Sequence, residues 1–353
     1  MRKSRTINIK MSLLVIRTSS MGDVIMTVPV IRALVTTYPD EEIIILTKKP
    51  FDLFFTEIPG LKVVLAYHHD RHKGIPGLIR LYRELRRDYR ITAVADLHNV
   101  LRSKFLKMLF MFSGCRVAKI HKGRLEKKML VRGKIRRPLK HTVVRYAETL
   151  KRAGYPVEMT KGPWLKPSAD AILRIGSYIS DTDRLRVGIA PLAKHKLKMW
   201  PSEKMITLLN RMSEIEGIRI FLFGSPDEAE QLETLSGNVA GVFNIAGRLK
   251  LAEEMALISK LDLMIAMDSS NMHLASTMGV RTLSVWGATH PWAGFSAWET
   301  DFSTMIQIPV EELECRPCTI FGKGECRRGD LACLNRIKPE MVFEKVTALL
   351  DLK

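Results

Sequence analysis

Hydrophobic positions along this chain follow two alternating periods. Short, nearly continuous apolar runs occupy 11–17, 42–47, 61–67, 91–97 and 115–120. Between them, as at 28–38, 77–87 and 141–153, apolar residues recur every three to four positions with charged residues on the other face. The first pattern predicts buried strands and the second amphipathic helices. Strand and helix in strict alternation predict right-handed βαβ units around a parallel sheet.

The alternation breaks at 154–185, where Gly154, Pro156, Gly162, Pro163 and Pro167 punctuate a stretch without clear periodicity. It then restarts, with strand-like runs at 185–190, 218–223, 242–245, 261–267 and 281–286 and helical ones at 202–215, 252–260 and 272–278. The break reads as an interdomain linker. The expected architecture is therefore α/β, with two Rossmann-like doubly wound domains, 1–165 and 166–353, facing a cleft that holds the ligand. A chain of 353 residues, 46% hydrophobic, is long enough for two cores.

Charge sharpens this division. Residues 1–165 hold 34 Lys and Arg against 13 Asp and Glu, whereas the remainder holds 22 against 24, so the net charge of +19 belongs to the first half. Such a surface suits an anionic partner, whether phosphorylated lipid, an anionic membrane surface or nucleic acid, or is simply a solvated face that keeps the chain soluble. The basic clusters are RLYRELRRDYR at 80–90, RSKFLK at 102–107 and the stretch 116–140. Phe105, Met108, Leu109, Phe110, Met111 and Phe112 adjoin the second cluster, a mixture that fits a bilayer interface and equally a buried helix with a charged edge.

No apolar run reaches the roughly 18 residues a membrane-spanning helix needs. The amino terminus is basic, but Lys10 and Arg17 interrupt its apolar stretch and no small-x-small cleavage site follows, so a cytoplasmic protein without a signal peptide is expected. Residues 1–10 read as a flexible tail.

Chemistry concentrates at two strand-to-helix turns. In the first, Ser19, Ser20, Met21 and Gly22 offer backbone N–H groups where a helix begins, a natural place for phosphate, and Asp23 is either a helix cap or a general base. In the second, Asp268, Ser269, Ser270 and Asn271 precede a small-residue helix in which His273 is a core, capping or ligand-facing residue. Between them, Lys198 in Lys-Met-Trp-Pro could neutralise a diphosphate, with Lys194 and Lys196 as competitors and a plain surface lysine as the alternative. Four of the five cysteines cluster as Cys315-x2-Cys318-x7-Cys326-x6-Cys333, which is compatible with a structural zinc site, with free thiols or with redox-variable pairs.

The segments LLVIRTSSMGDVIMTVPVIRAL, KMWP and DSSNMHLASTMGVRTLSVWGATHP, in that order, resemble glycosyltransferase family 9, the bacterial heptosyltransferases of GT-B fold. The resemblance implies transfer of heptose from ADP-heptose to the lipid A and inner core of lipopolysaccharide, with inversion, no required cofactor or metal, and action at the cytoplasmic face of the inner membrane. By matching position, Asp23 is the base and Ser19, Ser20, Met21 and Gly22 form the acceptor and phosphate loop. Lys198 stabilises the diphosphate, and Asp268, Ser269, Ser270, Asn271 and His273, with Gly224, Ser225 and Asp227, hold the donor. Where the family often has Ser-Gly-Pro-Met-His, this chain has Ser269-Ser-Asn-Met-His273, without the glycine.

Two other classes fit parts of the sequence. A basic nucleic-acid-binding protein with zinc-held cysteines would bind RNA or DNA with steep salt dependence and ignore ADP-sugars. A two-lobed sugar-nucleotide epimerase would turn over its nucleotide without an acceptor. The glycosyltransferase reading expects an ADP-sugar, a phosphorylated glycolipid and a peripheral membrane surface as partners, and no nucleic acid.

Overall fold

A computed structural model describes residues 12–180, 183–237 and 239–352; the expected tail at 1–10 lies outside the described residues. The chain forms two compact units, one from Met1–Lys122 with Val143–Lys161, the other from Gly123–Thr142 with Gly162–Lys353.

In the first unit β1 (Ser12–Ile16), β2 (Glu42–Thr47), β3 (Leu61–Leu65), β4 (Ile91–Asp96) and β5 (Arg116–Lys119) make one parallel sheet in the order β3-β2-β1-β4-β5. The β-branched run EIIILT explains β2: both faces of a parallel sheet are covered, so its strands need no polar side. All five β1 residues are buried, and Leu14, Ile16, Ile44, Val94, Leu106 and Phe110 form the core on one face. The chain leaves β1 toward β2 and β3, then returns to the far side of β1 as β4. Connections therefore diverge at the C-terminal ends of β1 and β4, the switch point where such sheets bind ligands.

The second unit repeats the plan with β6 (Leu185–Ala190), β7 (Ile218–Leu222), β8 (Val242–Asn244), β9 (Leu263–Met267), β10 (Arg281–Val285) and β11 (Met305–Ile306), ordered β11-β10-β9-β6-β7-β8 and parallel. Its switch point lies between β6 and β9. Gly188 in β6 is small for a packing reason, since a Cβ there would meet Leu261 Cδ1 at 2.5 Å.

The units differ from the expected 1–165 and 166–353 division in two respects, the smaller being that residues 162–165 fall in the second unit. Residues 123–142 belong with the second unit, although most of their neighbours in sequence belong with the first. The Leu139 N–H donates to the Trp292 carbonyl at 2.8 Å, the Thr142 N–H to the Gly294 carbonyl at 2.9 Å, and the Lys127 ammonium lies 3.8 Å from the centre of the Phe295 ring. This moves eight of the basic residues counted above. The first unit then carries 26 Lys and Arg against 12 acids, and the second 30 against 25. The excess is thus concentrated in the first unit but not confined to it.

The described part of the segment 154–185 is more ordered than its composition implies. The N–H groups of Trp164 and Leu165 both donate to the Thr277 carbonyl, and Ala169–Arg174 is a helix whose first turn is capped by the Ser168 hydroxyl. The pattern reading also passed over the helices Arg124–Val131, Ala229–Ser236 and Pro339–Leu349. Among the described residues no helix is long and apolar enough to cross a membrane.

Candidate active site

β1 ends in a side chain unusual for a buried strand terminus. Arg17 is only 5% exposed, and its guanidinium donates to the Leu97 carbonyl at the end of β4 (2.7 Å) and pairs with Asp23 Oδ2 at 2.5 Å. The turn between them contains Ser19, Ser20, Met21 and Gly22, and the helix Met21–Ile25 carries Asp23 in its first turn. The Ser20 hydroxyl donates to Asp23 Oδ2 at 2.8 Å. Behind them the phenol of buried Tyr146 donates to the Asp23 carbonyl at 3.2 Å, and burial pushes the Tyr146 pKa upward, so it stays protonated. Asp23 is thus oriented from three sides while its side chain keeps 27% exposure. The Ser20 side chain, which precedes the helix, makes no capping hydrogen bond to it.

The neighbouring strand contributes a histidine. At the end of β4, Asp96 Oδ1 accepts from the N–H groups of His98 (3.0 Å) and Asn99 (2.7 Å), and Oδ2 accepts from the Ser103 hydroxyl at 3.0 Å. This buried carboxylate fixes the turn into the helix Leu101–Phe112. The His98 ring is held between Thr18 Oγ1, 3.1 Å from Nδ1, and Ser19 Oγ, 3.2 Å from Nε2. Burial first, then the positive charges of Arg17 and Lys122, lowers the His98 pKa to about 3, so the ring is neutral, donating through one nitrogen and accepting through the other.

Beside this turn is a cavity of about 270 Å³ whose wall includes Thr18, Ser19, Lys48, Lys49, His68, His69, Asp70, His98 and Arg102. Three of these side chains are permanent cations and one is an acid. His68 is kept neutral, its pKa lowered to about 4 mainly by burial and then by Arg102. An anionic ligand would meet a strongly positive potential here, in a pocket lined by Thr18 and Ser19 of the turn that leads to Asp23.

At the switch point of the second unit a lysine and a carboxylate pair up. Lys198, in the short turn Lys196–Lys198, lies 2.8 Å from Asp268 Oδ2 and also donates to the Asp268 carbonyl at 3.2 Å. Gly322 makes room for this, because a Cβ at its φ of +76° would come within 2.7 Å of Lys198 Cγ. Lys194 and Lys196 are exposed, so of the three lysines Lys198 is the one fixed at the sheet. Trp200 explains the rest of the KMWP signature: it is buried, with its indole N–H donating to the Ile337 carbonyl at 3.2 Å.

After β9, Ser269 precedes the helix Ser270–Thr277 without capping it through its side chain, and its hydroxyl is buried with no protein partner among the described residues. The Thr289 hydroxyl, just past β10, is in the same condition. Asn271 is half-buried and His273 buried on this helix. Gly224 and Ser225 follow β7, the neighbour of β6. A Cβ on Gly224 would approach Leu232 Cδ1 to 2.5 Å, and the Ser225 N–H is occupied by Glu228 Oε2 at 2.7 Å. Asp227 is exposed there. The structure therefore gathers Lys198, Asp268 and Ser269 tightly, and sets Gly224, Ser225 and Asp227 on the adjoining strand end without a direct hydrogen bond to them among those described.

The four clustered cysteines line one cavity together with the buried Arg316, whose guanidinium donates to the carbonyls of Gly287 (2.7 Å) and Thr289 (3.1 Å). All four are free thiols, and burial pushes the pKa of Cys333 up to about 11 and that of Cys318 upward. Among the described residues no group of three or more His, Cys, Asp or Glu side chains stands in a metal-holding arrangement, although Cys315, Cys318, Cys326 and Cys333 share this one cavity wall.

Sequence patterns missed Arg17, His98, Tyr146 and the cavity wall. Two signals were present: a charged residue closing an otherwise apolar strand, and Asp96-Leu-His98 at a strand end, the same grammar as the two turns already noted.

A family model described as glycosyltransferase family 9 (heptosyltransferase) matches residues 78–318. A lipopolysaccharide core heptosyltransferase of Haemophilus influenzae is 24% identical over 291 residues, covering 79% of this chain and 80% of its own. In three dimensions a family 9 glycosyltransferase from Veillonella parvula superposes with a TM-score of 0.76 at 17% identity over 96% of this chain and 97% of its own. The ADP-heptose lps heptosyltransferase II of E. coli gives 0.69 at 20% identity over 96% and 98%. These two likenesses carry the fold, the GT-B type that the family resemblance implied, and the family model carries the class of chemistry over the nucleic-acid and epimerase alternatives. This chain belongs to glycosyltransferase family 9, the heptosyltransferases, and is an enzyme of the glycosyltransferase class.

Proposed function

We propose that this enzyme transfers a heptosyl unit from ADP-heptose to the phosphorylated inner core of lipopolysaccharide, inverting the anomeric carbon and using no divalent metal. The observation that carries the reading is Asp23: a carboxylate held by Arg17 and Ser20, with Tyr146 on its backbone carbonyl, still open to solvent, on the turn whose Thr18 and Ser19 line a cavity also walled by Lys48, Lys49 and Arg102. Asp23 takes the proton of the acceptor hydroxyl as its oxygen attacks the anomeric carbon. The bond from that carbon to the diphosphate breaks, and the electron pair leaves with ADP. Lys198, fixed by Asp268, and the buried Ser269 hydroxyl stabilise the departing charge from preorganised positions. Ser19, Ser20, Met21 and Gly22 line the acceptor side, and anionic groups of the glycolipid occupy the basic cavity. Ser270, Asn271, His273, Gly224, Ser225 and Asp227 complete the donor side.

A thermal-shift panel of ADP-, UDP-, GDP- and CMP-sugars tests the donor, with ADP-heptose expected to raise the melting temperature most. Transfer to a core glycolipid should follow and should survive EDTA. Preference for another nucleotide, or consumption of the sugar nucleotide without acceptor, would contradict the assignment.

A further inference from the structure

The helix Leu101–Phe112 runs from the rim of the basic cavity toward β5 and breaks the usual rule for a surface helix. Its inward face is ordinary: Ser103, Leu106 and Phe110, at i, i+3 and i+7, are buried on the sheet. The opposite face should then be polar. It instead holds Leu101, Phe105, Met108 and Phe112, at i, i+4, i+7 and i+11, a second apolar stripe about 16 Å long at 1.5 Å per residue. Leu101 and Phe112 are 84% and 77% exposed, Met111 beside them is 50% exposed, and Phe105 and Met108 are half-buried.

The flanks of this stripe are basic. Arg102 and Lys104 are exposed on the helix itself, as are Arg116 and Lys119 on the strand that follows. The helix Gly74–Asp88 packs alongside, joined by the edge-on contact of Tyr82 with Phe110, and its outward face is the arginine row Arg80, Arg83 and Arg87. Of its acids, Glu84 pairs with Arg71 and His72 outside the row, and only Asp88 offsets a member of it, Arg87, which leaves Arg80 and Arg83 without an acidic partner among those pairs.

We propose that this helix face is a membrane-docking surface that lies in the headgroup layer of an anionic bilayer. Leu101, Phe105, Met108 and Phe112 enter the acyl boundary while the flanking arginines and lysines engage lipid phosphates. An apolar face ringed by cations, on a helix too short to span, is the chemistry of interfacial rather than transmembrane binding. A protein partner or a second copy would need acidic groups to match the ring, and this surface has few free ones to offer a copy of itself. Docking here would also hold the basic cavity, whose wall includes Val100 and Arg102, close to lipid-borne substrates.

Flotation of the full chain with phosphatidylglycerol/phosphatidylcholine vesicles tests the proposal. The wild type is expected to float with these vesicles and not with pure phosphatidylcholine. Phe112→Asp should lower the partition coefficient tenfold or more, since it removes a buried aromatic and adds a charge at the interface. Phe112→Trp should float normally, with its added emission quenched by brominated acyl chains. Flotation of Phe112→Asp at the wild-type level, or no extra quenching in Phe112→Trp, overturns the proposal. So does a wild-type dimer in solution that Phe112→Asp converts to monomer. Turnover of Phe112→Asp on a delipidated acceptor should equal that of the wild type, which separates loss of docking from failure of the heptosyltransferase reading; a parallel fall in that turnover would assign the helix to the catalytic site instead.

Discussion

At the switch point of the first sheet Arg17 meets Asp23 at 2.5 Å, and at that of the second Lys198 meets Asp268 at 2.8 Å. The charges match but the burial is reversed. In the first pair the cation is sealed, at 6% side-chain exposure, and the carboxylate retains 27%; in the second the carboxylate is sealed at 8% and the ammonium retains 16%. In each unit the buried member orients the member that faces solvent. Under the proposed function, the first presents the proton acceptor and the second the fixed positive charge that inverting transfer from a diphosphate donor would need.

The comparison breaks most visibly at Asp23. Asp23→Asn keeps the shape and the Ser20 contact and should lower the transfer rate about a hundredfold or more. Donor affinity and melting temperature should stay near wild type. If Asp23→Asn instead unfolds or loses donor with its rate per bound donor intact, Asp23 is a structural cap and the two pairs are the same device. A smaller effect is expected from Lys198→Ala, which leaves Asp268 buried without its cation. Stability should fall by on the order of 3 kcal/mol, and titration with ADP should show at least tenfold weaker binding. Unchanged ADP affinity would return the diphosphate role to Lys194 or Lys196.

The smallest effect concerns His98 and pH. Its folded pKa, about 3, lies below the ordinary 6.5, so the unfolded chain binds the extra proton first. The stability associated with this neutral ring is fully present above pH 6.5 and is lost as pH falls through about 3. His68, His141 and His290, lowered to about 4, 4 and 3 by burial, act in the same direction. Glu254, raised to about 7 by burial, acts in the opposite one, favouring the fold below its ordinary 4.5 and losing that effect as pH rises through 7. Melting temperatures of His98→Gln and wild type between pH 7 and pH 4 should therefore converge as the medium is acidified. A constant gap would remove His98 from the acid response.

Much of the fold was legible because parallel strands buried on both faces leave an unmistakable apolar run. The runs at 42–47 and 185–190 coincide with β2 and β6. The helix Leu101–Phe112 was ambiguous for the converse reason: apolar residues on both faces give no single period, and the sequence fitted a buried helix and an interfacial one equally. The turns at Ser19–Ser20 and Asp268–Ser269 were visible through their small residues. Arg17 and His98 were not, because their importance lies in contacts across 80 residues of sequence, to Leu97 and to Thr18.

Composition, period and motif order were enough to determine two doubly wound sheets, the sites of the two turns and the family, since each depends on local residue patterns. Tertiary structure alone decided which unit owns 123–142, which of three lysines reaches the sheet, that four cysteines share one cavity, and which member of each ion pair is left exposed. Those outcomes depend on burial and on partners distant in sequence, and neither is encoded in any local period.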